Sequence, residues 1–356
     1  MHPILSPRLL PLCLVVLLAA CGGGDESPEG PTQAAAESEA ADAQAADAQA
    51  QSSDTRRHAL ALSDSQRITA ATSTANSSSN ACSLVRPFYW EIGAATTRLA
   101  TGSVKSATST TTYTANTPMA LASASKWLYA SYVAQKRGGQ LTASDIKYLN
   151  FRSGYTNMYT ACTATQSVDS CLAANGNGVY NASTDNRFYY GSGHMQKHAS
   201  LMGVGALAPK ALGLEVQAQL GTDILMGYNQ PALAIGAYAT PDAYARFLRK
   251  LLGGQLKMSS LLGSNKVCTS PGVCGTSQAL LSPVSNAWHY SVGHWVEDDA
   301  SGDGAFNSLG ALGFYPWIDA SKTYYGVLAR MAEGGMDSSK QCGQLIRKAW
   351  LSGTAS

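Results

Sequence analysis

The sequence predicts an α+β fold, in which an antiparallel β-sheet is flanked by N- and C-terminal helices and a helical lobe is inserted between its strands. Three observations point there. Residues 117–135 (TPMALASASKWLYASYVAQ) are rich in Ala, Leu and Tyr and hold no breaker between Pro118 and Gly138, which predicts a helix. The last third alternates aromatic and β-branched runs with turns, at residues 288–297 (WHYSVGHWVE), 313–319 (GFYPWID) and 323–331 (TYYGVLARM), which predicts an antiparallel meander. A closing helix over residues 338–351 completes the pattern.

Along the chain, residues 1–20 form a targeting leader, because the apolar run from Leu9 to Leu18 is too short to span a bilayer. Its end, Leu18-Ala19-Ala20-Cys21, resembles a bacterial lipobox. That resemblance implies cleavage before Cys21, lipidation of that cysteine and a lipid-anchored place in the cell envelope, with the membrane as a partner. Residues 21–80 begin with the tether-like GGGDESPEG, are dominated by Ala, Ser, Gln, Asp, Glu and Thr, and contain no aromatic residue. Such a segment buries too little apolar surface to offset its ordering entropy, so it is predicted to be a disordered linker.

Residues 81–356 form the globular domain, of a length that suits one large unit. The net charge is +2 and no basic stripe is present, which argues against a nucleic-acid partner. Of the eight cysteines, Cys13 and Cys21 belong to the leader region. The remaining six favour disulfides in an exported chain, and six cysteines allow fifteen pairings. Cys162 with Cys171 and Cys268 with Cys274 would each close a short polar loop, leaving Cys82 to join Cys342. No CxxC occurs and no cysteine has a nearby histidine, so metal binding is not expected.

Residues 88–104 (FYWEIGAATTRLATGSV) predict a strand, a turn and a second strand. The helix near residue 120 follows, and then a Gly138-Gly139 turn and a Thr/Ser/Asp cap region. Residues 156–187 are polar and predict irregular covering structure. Residues 239–254 (ATPDAYARFLRKLLGG) predict a helix with Thr240 as N-cap, Pro241 at its first position and Gly253 as its stop. Its Tyr244, Phe247, Leu248, Leu251 and Leu252 share one stripe.

The chemistry centres on Ser123-Ala124-Ser125-Lys126. On a helix, residues three apart share a face, so Ser123 Oγ and Lys126 Nζ can meet. A serine hydroxyl needs a base to become a nucleophile. Lysine can serve only when neutral, and the apolar surround of Ala122, Ala124, Trp127 and Leu128 would lower its pKa. Ser125 is a poorer candidate because its partner three residues on is Leu128.

The order of motifs downstream resembles the serine β-lactamase and penicillin-binding-protein superfamily, nearest the class C β-lactamase, family VIII esterase and D-aminopeptidase branch. The resemblance spans most of residues 85–350 and implies a β-lactamase/transpeptidase-like fold. Ser123-x-x-Lys126 matches the nucleophile motif. Residues 141–158 (LTASDIKYLNFRSGYTNM), with Ser153-Gly154, are similar to the stretch after that helix. Tyr190-Gly191-Ser192 resembles the second motif, tyrosine-x-asparagine, with Ser192 replacing asparagine. Ser308-Leu309-Gly310-Ala311 resembles the third motif, K-T-G or H-x-G, with Ser308 where lysine or histidine usually stands. The resemblance implies acyl transfer without a cofactor, on a small-molecule or peptide substrate. Ser123 would attack a carbonyl and Lys126 would act as base. Tyr190 would shuttle a proton; a phenol of pKa about 10 needs a nearby cation such as Lys126 to reach phenolate. The N–H groups of Ser123 and Ala311 would hold the oxyanion.

Without a cation at Ser308, esters or uncharged amides are expected substrates ahead of β-lactams or D-Ala-D-Ala peptides, unless Arg330 or Lys322 supplies the charge. A β-lactamase or D,D-peptidase and a catalytically inactive envelope protein are the alternatives. G-x-S-x-G fails at Ser192, because Tyr190 and His194 occupy the glycine places. A Ser-His-Asp triad could draw on His194, His198, His289 or His294, and the spacing singles out none. His194 and His198 sit at i and i+4, but HMQKH lacks the glutamate of a zincin. Trp288, Trp295 and Trp317 are expected in the core or as pocket walls. The leader yields one prediction: Cys21→Ser moves the protein from the membrane to the soluble fraction, whereas a palmitate analogue that never reports on Cys21 would count against the anchor.

Overall fold

In a computed structural model the described residues are 62–356. The leader, Cys21 and the tether through residue 61 lie outside them.

Strand β1 (Phe88–Gly93) is buried at every position, as an interior strand covered on both faces must be. It pairs antiparallel with β2 (Arg98–Val104), Tyr89 opposite Ser103, and with the last strand β13 (Tyr325–Ala329), Tyr89 opposite Ala329. The C-terminal strands β9 (His289–Ser291), β10 (His294–Val296), β11 (Phe306–Asn307) and β12 (Tyr315–Ile318) lead into β13 as the expected meander. With β7 (Val267–Cys268) they complete an eight-stranded sheet of order β2-β1-β13-β12-β11-β10-β9-β7. Residues 288–297 are two short strands rather than one. Val292 (φ 29°) and Gly293 (φ 92°) fold them back as a hairpin, and the missing Cβ at Gly293 lets the turn press on Ala130.

The first helix, α1 (Asp64–Asn76), lies in the stretch assigned above to the disordered linker. Ser63 and Gln66 close a capping box at its start. Its small residues Ala70, Ala71, Thr74 and Ala75 are buried where it packs on the C-terminal helix α9 (Met336–Ser352). Arg67 is also buried; it donates to Trp350 O (2.8 Å) and lies over the Tyr324 ring. The composition argument fails at residues 62–80 because alanine buries little area itself but allows close approach to a surface that other residues build. The stretch from Asp64 to Asn76 is therefore part of the folded unit.

Between the sheet's two halves lies the lobe. It holds α3 (Ala143–Leu149), α4 (Val168–Leu172), α5 (Gly193–Ala199) and α6 (Pro209–Leu220). Two further small sheets belong here: β3 (Met119–Ala120), β6 (Ala237–Ala239) and β5 (Met226–Tyr228) form one, and β4 (Phe188–Tyr189) with β8 (Ala279–Leu281) forms the other. The predicted helix at 239–254 is α7 (Pro241–Leu252), with Thr240 capping Ala243 N–H (3.1 Å). Its predicted stripe is buried save for half-exposed Leu252. A four-residue α8 (Pro271–Cys274) lies before β8.

The helix predicted from residue 118 starts later, as α2 (Ser125–Lys136). Met119 and Ala120 pair instead with Ala239 and Tyr238, and Leu121 N–H donates to Ala237 O (2.9 Å). Strand pairing thus overrides helix propensity for these residues. From Ser125 to Ala134 α2 is buried on all sides, so it is the axis on which sheet and lobe meet. Disulfides join Cys82 to Cys342, Cys162 to Cys171 and Cys268 to Cys274, the pairing anticipated above. Among the described residues no single helix is long and apolar enough to cross a membrane.

The docking of α1 has a measurable consequence. A chain beginning at residue 81 exposes the faces of Trp350 and Tyr324 and should be less stable than one beginning at residue 61, by ~2–4 kcal/mol for the apolar area uncovered. Equal denaturation midpoints for the two would show that α1 contributes nothing.

Candidate active site

Ser123 lies in a 3-10 turn (Ala122–Ala124) that enters α2, and Lys126 in the helix's first turn. Ser123 Oγ and Lys126 Nζ are 3.0 Å apart, so the two groups meet as the spacing required, across the turn-to-helix junction. Ala122 is held at φ 45°, a left-handed conformation that costs an alanine about 1 kcal/mol or more. Ser125 is engaged elsewhere, with its Oγ accepting from Ala237 N–H (3.1 Å).

Lys126 is fully buried, and its Nζ also donates to Ala234 O (3.0 Å). Burial lowers its pKa to about 7. Rings from two other segments lie against the amine. The Tyr190 ring centroid is 4.7 Å and that of Phe151 5.9 Å from Nζ, while Trp127 stacks on His294 instead.

Tyr190 follows β4 directly. Burial pushes its pKa up to about 12, opposed in part by hydrogen bonding with Ser123 and Trp295. Burial thus shifts the two groups in opposite directions, the Lys126 amine down and the Tyr190 phenol up, and favours the neutral form of each. Trp295 stacks on Tyr190 (5.5 Å between centroids) and so walls the site, with Trp288 edge-on behind it. Trp317 lies elsewhere, beneath Arg347. Ser192 sits half-buried just before α5 and has no side-chain hydrogen bond among the described residues.

The segment 308–311 faces the turn that holds Ser123. Ser308 Oγ donates to Ser123 O (3.1 Å). Gly310 packs so closely on Leu121 O that any Cβ there would collide with it. Its own N–H donates to Phe314 O (2.8 Å), while Ala311, exposed in the following turn, has no protein acceptor for its N–H among the described residues. Neither proposed replacement cation reaches Ser308. Arg330 donates to Val85 O (3.0 Å), Ser338 and Ser339, and Lys322 lies over Phe306.

The histidines are likewise committed. His194 bonds Ser153 Oγ (2.6 Å) and Tyr189 O (3.1 Å), and burial takes its pKa down to about 3. His198 bridges Asp145 and Tyr129, at 2.9 Å each. His289 bonds Asp298 (2.9 Å) and His294 accepts from Gly263 N–H (3.1 Å).

Sequence reasoning missed the buried support of the third segment. Asn307 donates to Glu297 Oε1 (2.8 Å) and accepts Leu309 N–H (3.3 Å). Glu297 in turn pairs with Arg347 on α9 (2.6 Å), which also holds Asp303. A glutamate ending an apolar strand and an arginine on the apolar stripe of the last helix were the available signals.

No protein-family model and no curated protein matches this sequence. Solved structures do. EstCE1, a hydrolase with promiscuous acyltransferase activity, superposes with a TM-score of 0.58 at 12% identity, over 81% of this chain and 99% of that one. A D-stereospecific amidohydrolase from Streptomyces gives 0.54 at 12% identity, over 83% and 100%. A protein of Bacteroides dorei described as a beta-lactamase gives 0.53 at 17% identity, over 74% and 94%. The fold is thus the β-lactamase/transpeptidase-like one that the sequence predicted.

The buried lysine yields a paired prediction. Its folded pKa lies below its unfolded one, so the unfolded chain binds the extra proton between about pH 7 and 10.5, and this site's contribution to stability rises with pH across that window. Lys126→Met removes the cost of burying an ammonium. The variant should therefore lack the rise in stability that the wild type shows across that window, and it should abolish reaction at Ser123. A variant whose stability rises with pH as steeply as the wild type's would contradict the lowered pKa.

Proposed function

We propose that this protein is a serine hydrolase of the bacterial cell envelope, lipid-anchored through Cys21, that acts on esters or uncharged amides through an acyl-enzyme at Ser123. The observation that supports this most is the 3.0 Å contact between Ser123 Oγ and a fully buried Lys126 whose pKa is about 7. A neutral amine at that distance is a competent general base at neutral pH, where its basicity and its availability are both high.

In this reading Lys126 takes the Ser123 proton as Oγ attacks the substrate carbonyl. The oxyanion settles between the N–H groups of Ser123 and Ala311. Tyr190, whose ring lies 4.7 Å from the Lys126 amine, relays a proton to the departing alkoxide or amine. Water then attacks the acyl-enzyme by the reverse relay. Ser192 and Ser308 offer neutral hydroxyls to the substrate; Ser308 also braces the nucleophile turn. Three of the structural neighbours are described as a hydrolase, an amidohydrolase and a beta-lactamase, which suits acyl-transfer chemistry without choosing among substrates.

Substrate charge follows from what faces the cleft. A carboxylate held in a partly dry pocket needs a cation or several donors, and the charge-assisted bond that a lysine would give is worth ~1.5–3 kcal/mol. With Arg330 and Lys322 committed elsewhere, that stabilisation is missing. Short-chain p-nitrophenyl esters should therefore be turned over with a kcat/KM about tenfold to a hundredfold above that for a chromogenic cephalosporin, and a fluorophosphonate probe should label the wild type but not Ser123→Ala. Preference for the cephalosporin would overturn the substrate assignment; labelling of Ser123→Ala would overturn the nucleophile, and an unlabelled wild type would favour an inactive binding protein.

A further inference from the structure

The position of Lys126 depends on a carbonyl, and that carbonyl belongs to a loop. Ala234 O accepts one N–H of the Lys126 amine at 3.0 Å. A neutral amine has two N–H donors and one lone pair. With one N–H fixed on Ala234, rotation about the Cε–Nζ bond is restricted, and the lone pair can be kept on the Ser123 hydroxyl. Residues 229–236 make a tight loop closed by Asn229 N–H to Gly236 O (3.0 Å) and Gly236 N–H to Ala232 O (2.7 Å). Asn229 and Ile235 are exposed, whereas Pro231–Ala234 between them are buried, so the backbone groups of that stretch must be gripped by internal partners.

The grip is Gln196. This side chain, 1% exposed on α5, points between the loop and the lobe. Its Nε2 donates to Pro231 O (2.7 Å) and to Val168 O (3.0 Å). Its Oε1 accepts Leu233 N–H (3.3 Å). One amide therefore holds the loop from both a carbonyl and an N–H, immediately before Ala234, and ties it to α4. The disulfide Cys162–Cys171, with Met158, packs on Ala232 behind it. α5 starts just after Tyr190 and Ser192, so one short helix sets Tyr190 at its beginning and the Ala234 carbonyl through its fourth residue.

We propose that Gln196 is a positioning residue for acyl transfer, clamping the 230–234 loop so that the Ala234 carbonyl orients the Lys126 amine toward Ser123. This rests on the reading of Lys126 as base for its catalytic consequence, but the clamp itself is a structural claim with its own readout. Groups facing Nζ are Ser123, the Tyr190 and Phe151 rings and the Ala234 carbonyl, and burial alone accounts for its shift. Releasing the loop lets water reach Nζ, which moves its titration up toward that of an ordinary lysine.

The test is Gln196→Met, which keeps the volume and removes all three hydrogen bonds, with Gln196→Asn as the variant that retains a shorter amide. Lys126 is titrated by NMR in protein carrying 13C-labelled lysine, assigned with Lys126→Met. In parallel the fluorophosphonate labelling rate at Ser123 is followed against pH. Gln196→Met should raise the Lys126 midpoint by about one unit, as partial rehydration requires, and slow labelling at pH 7 about tenfold, a share of what a positioned base provides. Gln196→Asn should move both in the same direction, and it carries the test where Gln196→Met does not fold. A folded variant whose Lys126 midpoint and labelling rate match the wild type overturns the proposal. So does slower labelling without any change in midpoint. An unlabelled wild type with a midpoint that still shifts in the variants keeps the clamp and rejects the hydrolase reading instead.

Discussion

The site depends on one constraint, the burial of a lysine amine that no carboxylate among the described residues neutralises. Burying an ammonium is costly, and proteins avoid that cost by pairing the charge or by releasing the proton. Here Lys126 has aromatic rings on the cleft side and only neutral oxygens within reach, so the neutral form becomes accessible near pH 7. The surrounding architecture follows from that requirement. α2 is buried on every side, the Tyr190 and Trp295 stack closes the cleft, and the 229–236 loop brings in a carbonyl rather than a charge.

The same constraint separates the positively charged groups from the cleft. Arg347 is buried, but Glu297 and Asp303 neutralise it and put it to use under Asn307 and the 308–311 segment. Arg330 is tied to Val85 and to two serines at the start of α9. A cation beside Lys126 would push its pKa lower still, and a carboxylate would raise it. The arrangement found leaves desolvation as the one cause of the shift, and the site's chemistry therefore depends on how well the loop and the aromatic wall exclude water.

Much of this was legible in the chain, for identifiable reasons. Ser123 and Lys126 could be paired because a spacing of three works in a 3-10 turn as well as in an α-helix, so the pair survives although the helix starts seven residues later than propensity suggests. Tyr190 and Ser308 were found by motif order, and the local disulfides by loop length. What was missed depends on contacts distant in sequence. Strand pairing of Met119 and Ala120 with β6 joins residues more than a hundred positions apart, the rings over Nζ come from separate segments further along the chain, and the hairpin at Val292-Gly293 rests on backbone angles that composition does not encode. The helix α1 was missed because its small side chains look like linker until the surface they meet is known.

In the proposed reaction Ser123 carries the acyl group during turnover. Acid quenching of the protein during steady-state hydrolysis of a short-chain p-nitrophenyl ester, followed by peptide mass mapping, tests it most directly. An acyl mass increment confined to the peptide containing Ser123 is expected, with none in Lys126→Met. Turnover with an increment on any other residue, or an increment on Ser123 that forms as fast without Lys126, would contradict it.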